Sequence, residues 1–311
     1  MKILIIKKKL LIKSILFIFI SLIIIMTILL LCNKFNTQET LFPLNSSQNY
    51  SYDLNGDGSK DNIQLVEGQN KIDVCIKCAN EEYYLSKELS DKILFTSSNH
   101  LKPKIFVHDL SRNSIPEIIL MGLKDSKTAT YIFQWNKNKF VPIYNDSKNI
   151  FGILNCKNSR TPQCYSLSAA NGLSSLNSFM IIKDSVLDTT ADSKSLPSID
   201  SVTNFINLIE LPYTLDELPD IFSTNINKDE LSLLWNLDKD NNSYSFQNGF
   251  FYDYEWNDSG SPAFIKWRLS FEKSSLKGSD SDKRELVLLI DLHKNNASPS
   301  SYKITSIQIS K

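Results

Sequence analysis

Three copies of a nine-residue loop constrain the possible folds of this chain more than any other feature of its sequence. The first copy reads Asp53-Leu-Asn-Gly-Asp-Gly-Ser-Lys-Asp61. Oxygen-bearing groups stand at loop positions 1, 3, 5, 7 and 9, which is the ligand spacing of a calcium loop. Gly58 at position 6 permits the left-handed backbone of the sharp turn that such a loop needs. The predicted calcium ligands are Asp53, Asn55, Asp57, Asp61 and the backbone carbonyl of Ser59.

The residues after this loop indicate that it joins two strands. A helix-loop-helix calcium site requires Glu at position 12, where this chain has Gln64. The apolar residues Ile63, Leu65 and Val66 around that position are typical of a strand. The alternative interpretation is a turn rich in Asn, Gly and Asp that binds no ion.

The second and third copies of the loop align with the first without gaps. They span Asp109–Glu117 and Asn155–Gln163, and they lie 56 and then 46 residues further along the chain. A repeat of this length is typical of propeller blades and similar arrays. Each copy is predicted to belong to a small antiparallel sheet, and three sheets are too few to close a ring. The expected fold over 49–190 is therefore a mainly β repeat domain, propeller-like but open or truncated.

Carboxylates become fewer from the first loop to the third. The second loop keeps two of them and has Ser114 where the first has glycine, so we expect weak calcium binding there or none. The third loop has no carboxylate and places Lys157 at a ligand position, where it would repel a cation. A disulfide between Cys156 and Cys164 is the expected tie for this third loop. The candidate ligands of the second loop are Asp109, Ser111, Asn113 and Glu117.

The pattern Asp-x-Asn-x-Asp-Gly-x-x-Asp before an apolar strand, recurring through 49–190, resembles the FG-GAP/VCBS family of extracellular calcium-binding β-repeats. The resemblance implies that calcium braces the repeats and that the domain serves in adhesion, ligand binding or as a surface scaffold. Of the family's Phe-Gly signature, only Phe151-Gly152 in the third unit is present. The resemblance implies that the calcium ligands are Asp53, Asn55, Asp57, Ser59 and Asp61.

A membrane anchor is predicted at 15–32, an uncharged apolar run long enough to cross a bilayer. Lysines are concentrated in the preceding segment 1–14, so this segment is expected in the cytoplasm and the bulk of the chain outside the cell. The polar segment 33–48 is interpreted as a tether. Cleavage of the apolar run and lipidation of Cys32 at its end remain alternatives.

The charge balance limits the classes of partner. With 34 basic and 34 acidic residues, the chain has no global electrostatic attraction to nucleic acid. The partners expected instead are the membrane, through the N-terminal helix, and an extracellular protein or polysaccharide.

Two short-range disulfides are predicted, because an extracellular location favours oxidised cysteines. The expected pairs are Cys75 with Cys78 and Cys156 with Cys164. A thiol-redox role for Cys75 and Cys78 is the alternative, although their sequence context indicates a strand rather than the helix N-terminus that lowers a thiol pKa.

A second domain, 202–311, is predicted after a Ser-rich linker at 191–201. Helical spacing starts at Val202, and further helices are predicted at Asp216–Phe222 and Lys228–Leu237. Helices followed by an antiparallel meander form an α+β layer. By element order alone this resembles cystatin-like or nuclear-transport-factor-like folds. The predicted strands are Tyr244–Trp256, Ala263–Glu272, Glu285–His293 and Tyr302–Ile309.

The same domain offers an alternative function, an exported enzyme or small-ligand binder with a pocket between helix and sheet. Asp253 and Glu255 are predicted to share one face of a strand and could act as an acid/base pair, although a solvated face is the favoured interpretation. His108 is predicted to be a strand residue, and no catalytic residue is assigned, so the chain is not predicted to be an enzyme. The aromatic residues expected to fill the core are Phe246, Phe250, Tyr252, Tyr254, Trp256 and Trp267.

Overall fold

The computed structural model describes residues 17, 19–21, 50–98, 100–156, 158–193, 195–215, 217–258, 260–278, 282–295 and 302–310. The chain divides into two compact units, Met1–Gln38 and Glu39–Lys311. The predicted cytoplasmic segment and tether lie outside the described residues, as does nearly all of the predicted anchor at 15–32. Among the residues that are described, no helix is long and apolar enough to span a membrane.

The unit Glu39–Lys311 is mainly β, and its strands form open sheets with no closed barrel among the described residues. It begins with three antiparallel meanders of four strands each. The strands of the first meander are β1 (Tyr50–Tyr52), β2 (Asp61–Gly68), β3 (Lys71–Cys78) and β4 (Glu81–Tyr84), with β5 (Phe95–Thr96) also paired to β3. Those of the second are β6 (Lys104–His108), β7 (Glu117–Lys124), β8 (Lys127–Asn136) and β9 (Lys139–Asp146). Those of the third are β10 (Ile150–Leu154), β11 (Gln163–Leu167), β12 (Asn177–Ile182) and β13 (Ser185–Asp188).

Each of the three loops connects the first and second strands of its meander. The strand pairs that close the loops are equivalent. They are Tyr52 with Asp61, His108 with Glu117, and Leu154 with Gln163. The residue before loop position 1 thus pairs with position 9 in all three units, in the register that the gapless sequence alignment requires.

Neighbouring meanders pack face to face because their strands alternate in side-chain direction. Ile118 of β7 packs toward the first meander, whereas Ile119 packs toward the third. The outward face of the first meander is polar: it carries the cross-strand pair Lys77 and Glu82, whose charged groups are 3.0 Å apart. A polar outer face lets a stack of repeats end without a further neighbour.

Two helices follow the third meander, α1 (Ile199–Glu210) and α2 (Lys228–Trp235). The buried residues of α1 include Val202, Phe205 and Ile209, the face predicted from helical spacing. The helix predicted at Asp216–Phe222 is wrong over its described part, 217–222, which consists of bends and a turn. Pro219 lacks an amide donor and disfavours helix there, and Phe222 instead forms a parallel bridge with Ile304.

Four long strands complete the chain: β14 (Asn242–Trp256), β15 (Pro262–Ser275), β16 (Arg284–Lys294) and β17 (Tyr302–Ile309). They continue the third meander into one eight-stranded sheet, because β10 pairs in parallel with β14 through Ile150 and Gly249. The predicted linker at 191–201 therefore does not coincide with a break between sheets. Gly152 is required at this junction, since a Cβ there would lie 2.2 Å from the ring of Phe251.

The predicted aromatic core is largely filled. Trp267 is fully buried, stacks on Phe251 at 4.4 Å between ring centroids, and donates from Nε1 to Ser198 Oγ over 2.9 Å. Phe250 and Tyr252 are also buried, but on the opposite face of β14, against the second and third meanders. Phe246 and Trp256 are partly buried against the same core as Trp267. Tyr254 is exposed, so its predicted place in the core is wrong.

A partly buried ionic cluster joins the second meander to the C-terminal strands. Glu285 on β16 accepts from Lys104 Nζ at 2.8 Å and from Arg268 Nη2 at 3.2 Å. Ser270 Oγ also donates to Glu285 over 2.6 Å. Burial alone would raise the pKa of Glu285, but the two cations outweigh it and hold that pKa below its usual value.

Neither predicted disulfide is present in the structure. Cys75 and Cys78 lie three residues apart on one strand, so their side chains point to opposite faces. Their Cα atoms are then separated by about 10 Å, beyond the reach of a disulfide. In the third loop, Cys156 Sγ donates as a thiol to the carbonyl oxygen of Ile153 at 3.5 Å.

Candidate metal centre

Asp53 organises the first loop through both of its carboxylate oxygens. Oδ1 accepts from the amide of Gly56 at 2.7 Å, and Oδ2 accepts from the amide of Gly58 at 2.9 Å. These bonds require left-handed backbone at positions 4 and 6, where φ is 77° at Gly56 and 84° at Gly58. The two glycines explain why this sequence folds into a tight loop rather than a longer strand connection.

Asn55 and Asp57 form the exposed tip of the loop. Asn55 Oδ1 accepts from the amide of Asp57 at 3.0 Å, and Asp57 Oδ1 accepts from the amide of Ser59 at 2.7 Å. Hydrogen bonding from Ser59 and then from Asn55 lowers the pKa of Asp57. Asp57 therefore carries a full negative charge at the loop tip at neutral pH.

Asp61 closes the loop from the buried side. Its side chain is fully buried, and Oδ2 accepts from the amide of Leu54 at 2.8 Å. The other oxygen, Oδ1, has no hydrogen-bond partner. Burial raises the pKa of Asp61, the hydrogen bonds from the Leu54 amide and the Cys78 thiol lower it, and the nearby charges of Asp57 and Asp53 raise it further. Three carboxylates thus belong to one loop, and Oδ1 of the buried one has no partner at hydrogen-bonding geometry.

All five predicted ligand residues lie in this loop, and their chemistry fits calcium. Among the described residues, no three His, Cys, Asp or Glu side chains are already grouped closely enough to hold a metal ion. Calcium takes about six to eight oxygen ligands in flexible geometry. A carboxylate oxygen that accepts one amide proton still has a lone pair for a cation. Asp53, Asp57 and Asp61 would supply the charge, and Asn55 and the Ser59 carbonyl would supply neutral oxygens. When bound, the ion would offset the mutual repulsion of the three carboxylates.

The second loop has a hydrogen-bond pattern similar to that of the first. Asp109 accepts from the amides of Asn113 at 3.1 Å and Ser114 at 2.9 Å, which are loop positions 5 and 6, whereas Asp53 accepts from positions 4 and 6. Glu117 Oε2 accepts from the amide of Leu110 at 2.7 Å, as Asp61 does from Leu54. The backbone is left-handed at the same two positions, with φ of 56° at Arg112 and 71° at Ser114. Ser114 thus adopts the turn that Gly58 adopts in the first loop.

No family model, curated protein or solved structure matches this chain. The function proposed below rests on the geometry of the loops.

The third loop is organised differently, around an arginine from the second. Arg112 Nη2 donates to the carbonyl oxygens of Asn155 at 3.0 Å, Cys156 at 3.2 Å and Asn158 at 3.1 Å. Arg112 Nε donates to the carbonyl of Arg160 at 3.4 Å. A guanidinium thus lies among backbone oxygens in the loop that has no carboxylate. Sequence reasoning missed this role, because Arg112 belongs to a different repeat.

A second substitution in the third loop concerns position 9, where Gln163 replaces the acid. The amide of Cys156 at position 2 donates instead to Asp253 Oδ1 at 3.0 Å, from the adjacent strand β14. Asp253 Oδ2 also accepts a short hydrogen bond from Trp256 Nε1. Asp253 is fully buried and Glu255 is exposed, with a β-bulge between them. The interpretation of these two acids as residues of one strand face is wrong, and the geometry does not support an acid/base pair.

The loops also contact one another directly. Ile115 of the second loop packs over Gly56 of the first, so that a Cβ at Gly56 would lie 2.6 Å from Ile115 Cδ1. With Arg112 reaching the third loop, the second loop contacts both of its neighbours. Any change that orders one loop can therefore affect the others.

His108, Cys75 and Cys78, which were also considered for a functional role, are buried in the fold. His108 is a fully buried strand residue, as expected. Burial raises the pKa of both Cys75 and Cys78, which is the opposite of what a reactive thiol requires. A surface cavity of about 710 Å³ lies beside the β7–β8 hairpin, but its Lys124 is already paired with Asp91 at 2.6 Å.

Proposed function

We propose that this chain is a membrane-anchored extracellular binding or scaffold protein whose β-repeats, of FG-GAP/VCBS-like, propeller-like type, are braced by calcium in the first loop. The apolar segment 15–32 would hold it in the membrane of a bacterial cell. The small α+β region after the repeats, 202–311, would complete the displayed part. An extracellular protein or a polysaccharide would be its partner.

One observation carries this proposal: the fully buried carboxylate of Asp61 has an oxygen without a partner, in a loop that also holds Asp53 and Asp57. A buried polar atom without a partner costs free energy. A divalent cation would supply that partner and would stabilise the charged form of Asp61, whose pKa is raised by burial and to a smaller extent by the charges of Asp57 and Asp53. Folding and ion binding would then be coupled, because the unfolded chain cannot present these oxygens together.

The contacts between loops support a scaffold role. Ile115 packs against Gly56, and Arg112 binds the third loop, so an ion in the first loop would stabilise the whole edge where the loops lie. A rigid row of loops on a stack of sheets is a common platform for binding a partner, because loops carry function on a fixed frame.

A calcium titration by calorimetry on the full chain in detergent, with thermal melts alongside, tests the proposal. We expect calcium to bind and to raise Tm. At free calcium about 100 times Kd, one site adds about 2.7 kcal/mol to the free energy of unfolding. Asp57→Ala should remove the contribution of the first loop, because it deletes an ordered carboxylate at the loop tip.

Asp184→Ala is the matched control, since Asp184 is also an exposed aspartate in a turn but lies outside the three loops. It should bind calcium and respond in Tm as the parent does. An Asp57→Ala protein whose calcium affinity and Tm increase equal those of the control would contradict the proposal.

A further inference from the structure

The strand β13 lies at one end of the eight-stranded sheet and leaves its outer edge unpaired. It pairs with β12 on one side, and no strand that the structure describes pairs with the other side. Its two central residues are both exposed, Val186 by 38% and Leu187 by 48%. They point to opposite faces of the sheet, because side chains alternate along a strand. An apolar edge of this kind is a template for a further strand.

The opposite edge of the same sheet, on β17, is blocked. The amide of Ile304 donates to the carbonyl of Ile221 over 2.8 Å, and the carbonyl of Ile304 accepts from the amide of Ser223 over 2.8 Å. The amide of Ile307 donates to Glu230 Oε2 over 2.8 Å. These contacts occupy backbone groups that could otherwise bind a strand, which is how natural sheets commonly protect an edge.

The outward backbone groups of β13 are those of Val186 and Asp188. The amide of Thr189 donates inward to the carbonyl of Ser178 on β12 over 2.9 Å. Backbone hydrogen bonds alternate in direction along an antiparallel strand, so Leu187 also bonds inward while Val186 and Asp188 face outward. Within the part of the chain that the structure describes, no backbone contact occupies these outward groups.

We propose that β13 pairs in antiparallel fashion with β13 of a second copy of this chain, across a two-fold axis at Leu187. Val186 of each copy then lies opposite Asp188 of the other, and each such pair exchanges both of its backbone hydrogen bonds. Leu187 lies opposite Leu187 of the second copy, in the closely spaced position that has no hydrogen bond. The two sheets become one continuous sheet.

The side chains favour this register. Leu187 shares a face of the sheet with Met180, its partner on β12. The pairing would join Met180 and Leu187 of both copies into one apolar strip, and such cross-strand contacts stabilise a sheet. An axis moved to Val186 would instead place Asp184 opposite Asp188 of the second copy, and like charges directly opposite each other are destabilising.

The pairing stops at two copies. Because β17 is blocked, each copy offers only one of the two edges of this sheet for pairing among the described strands, and a two-fold contact uses both open edges. The inference goes beyond the proposed function and does not depend on calcium. In the dimer the row of loops would be present twice, which raises the apparent affinity for a partner with repeated binding sites.

The test measures self-association of the full chain in detergent by sedimentation equilibrium, in EDTA so that calcium plays no part. We expect a dimer. Leu187→Lys should weaken dimerisation at least about tenfold, because it places two like charges against each other in a desolvated position. Ile309→Lys is the matched control, since Ile309 is 45% exposed but lies on the blocked edge. It should dimerise as the parent does.

Three results would overturn the inference whatever the calcium titration shows. The first is a monomeric parent, even though its open edge could then accept a strand from a different protein. The second is a dimer that Leu187→Lys leaves as stable as the parent's, because association would then come from another part of the chain. The third is an equal loss of dimer in Leu187→Lys and Ile309→Lys.

Cysteine cross-linking tests the register and guards against a folding defect in Leu187→Lys. With oxidised glutathione, Leu187→Cys should form a covalent dimer, because the Cα atoms of such a pair lie about 4.5 Å apart, within reach of a disulfide. Val186→Cys should not, since its opposite residue is Asp188. The parent gives the background from the native cysteines. Any other pattern, including equal cross-linking of both variants or none above the parent, would overturn the pairing.

Discussion

Nη2 of Arg112 donates a hydrogen bond to the carbonyl oxygen of Asn155 over 3.0 Å, so a side chain of the second loop completes the third. Three other carbonyl oxygens of the third loop accept from the same guanidinium. The positively charged guanidinium holds these carbonyl oxygens together, as a metal ion does in a calcium loop. The contact ties two repeats that are adjacent in sequence but separate in their sheets.

Arg112→Gln should destabilise the chain by about 1–2 kcal/mol, because hydrogen bonds to a charged group are lost while the exposed carbonyls regain water. The stability of Arg112→Lys should lie between those of the parent and Arg112→Gln, since one ammonium group cannot reach all four carbonyl oxygens. Urea unfolding at neutral pH measures the change. Arg284→Gln, at an exposed strand end, is the control, and equal losses in both glutamine variants would contradict the role of Arg112.

Gly56→Ala should cost more stability than Gly58→Ala. Both positions have left-handed φ, so both lose about 1–2 kcal/mol from backbone strain. Only at Gly56 would the new Cβ meet another side chain, Ile115 Cδ1 at 2.6 Å, whereas nothing lies within 4 Å at Gly58. Thermal unfolding in EDTA compares them. When Ile115→Ala is added to both variants, the difference in Tm between Gly56→Ala and Gly58→Ala should largely disappear. A difference in Tm that persists would exclude the contact between the loops as its cause.

Glu285→Gln should cost about 3–5 kcal/mol at neutral pH, because it leaves Lys104 and Arg268 partly buried without a counter-charge. The two cations hold the folded-state pKa of Glu285 below the ordinary glutamate value of 4.5, although burial opposes them. The carboxylate therefore stabilises the fold above pH 4.5, and this contribution disappears as pH falls through the lowered pKa. The gap between parent and variant should narrow from pH 7 to pH 3.

Urea unfolding at several pH values measures that gap. Glu67→Gln is the matched control, because Glu67 pairs with Lys102 at 3.2 Å on an exposed surface. Such pairs contribute at most about 1 kcal/mol. A gap for Glu285→Gln that stays constant across this pH range would argue against the lowered pKa.

The four cysteines that the structure describes should react as thiols, not as disulfides. In denaturant without reductant, Cys75, Cys78, Cys156 and Cys164 should all react with a thiol reagent, and reductant should leave Tm unchanged. In the native protein the same residues should react slowly, because all four are buried. Recovery of a cross-linked peptide containing Cys156 and Cys164 would restore the disulfide that the sequence predicted.

Local patterns in the sequence identify most of the strands. The predicted strand Tyr302–Ile309 has the bounds of β17, and the other three C-terminal strands differ only at their ends. The first loop is also identifiable, because its ligand spacing and glycines lie within nine consecutive residues. Strands and tight loops of this kind are determined by residues close together in the sequence, so residue type and spacing are enough to predict them.

Contacts between distant segments could not be predicted in this way. Arg112 and Asp253 replace the cation and the acid of the third loop from elsewhere in the fold. Nothing in their local sequence marks them as partners of Cys156. The helix predicted at Asp216–Phe222 was wrong partly for a related reason, since Phe222 pairs with the distant Ile304. Pro219 is a local signal against that helix.

The parallel pairing of β10 with β14 has a consequence for how the chain must be made. Ile150 meets Gly249 only after 99 further residues have been synthesised. Until then one edge of β10 is an unpaired template that can bind other chains. An export route that delivers the chain from its N-terminus would expose this edge on every molecule. This edge stays open until the C-terminal strands arrive, and a chain cut short before residue 249 would never close it.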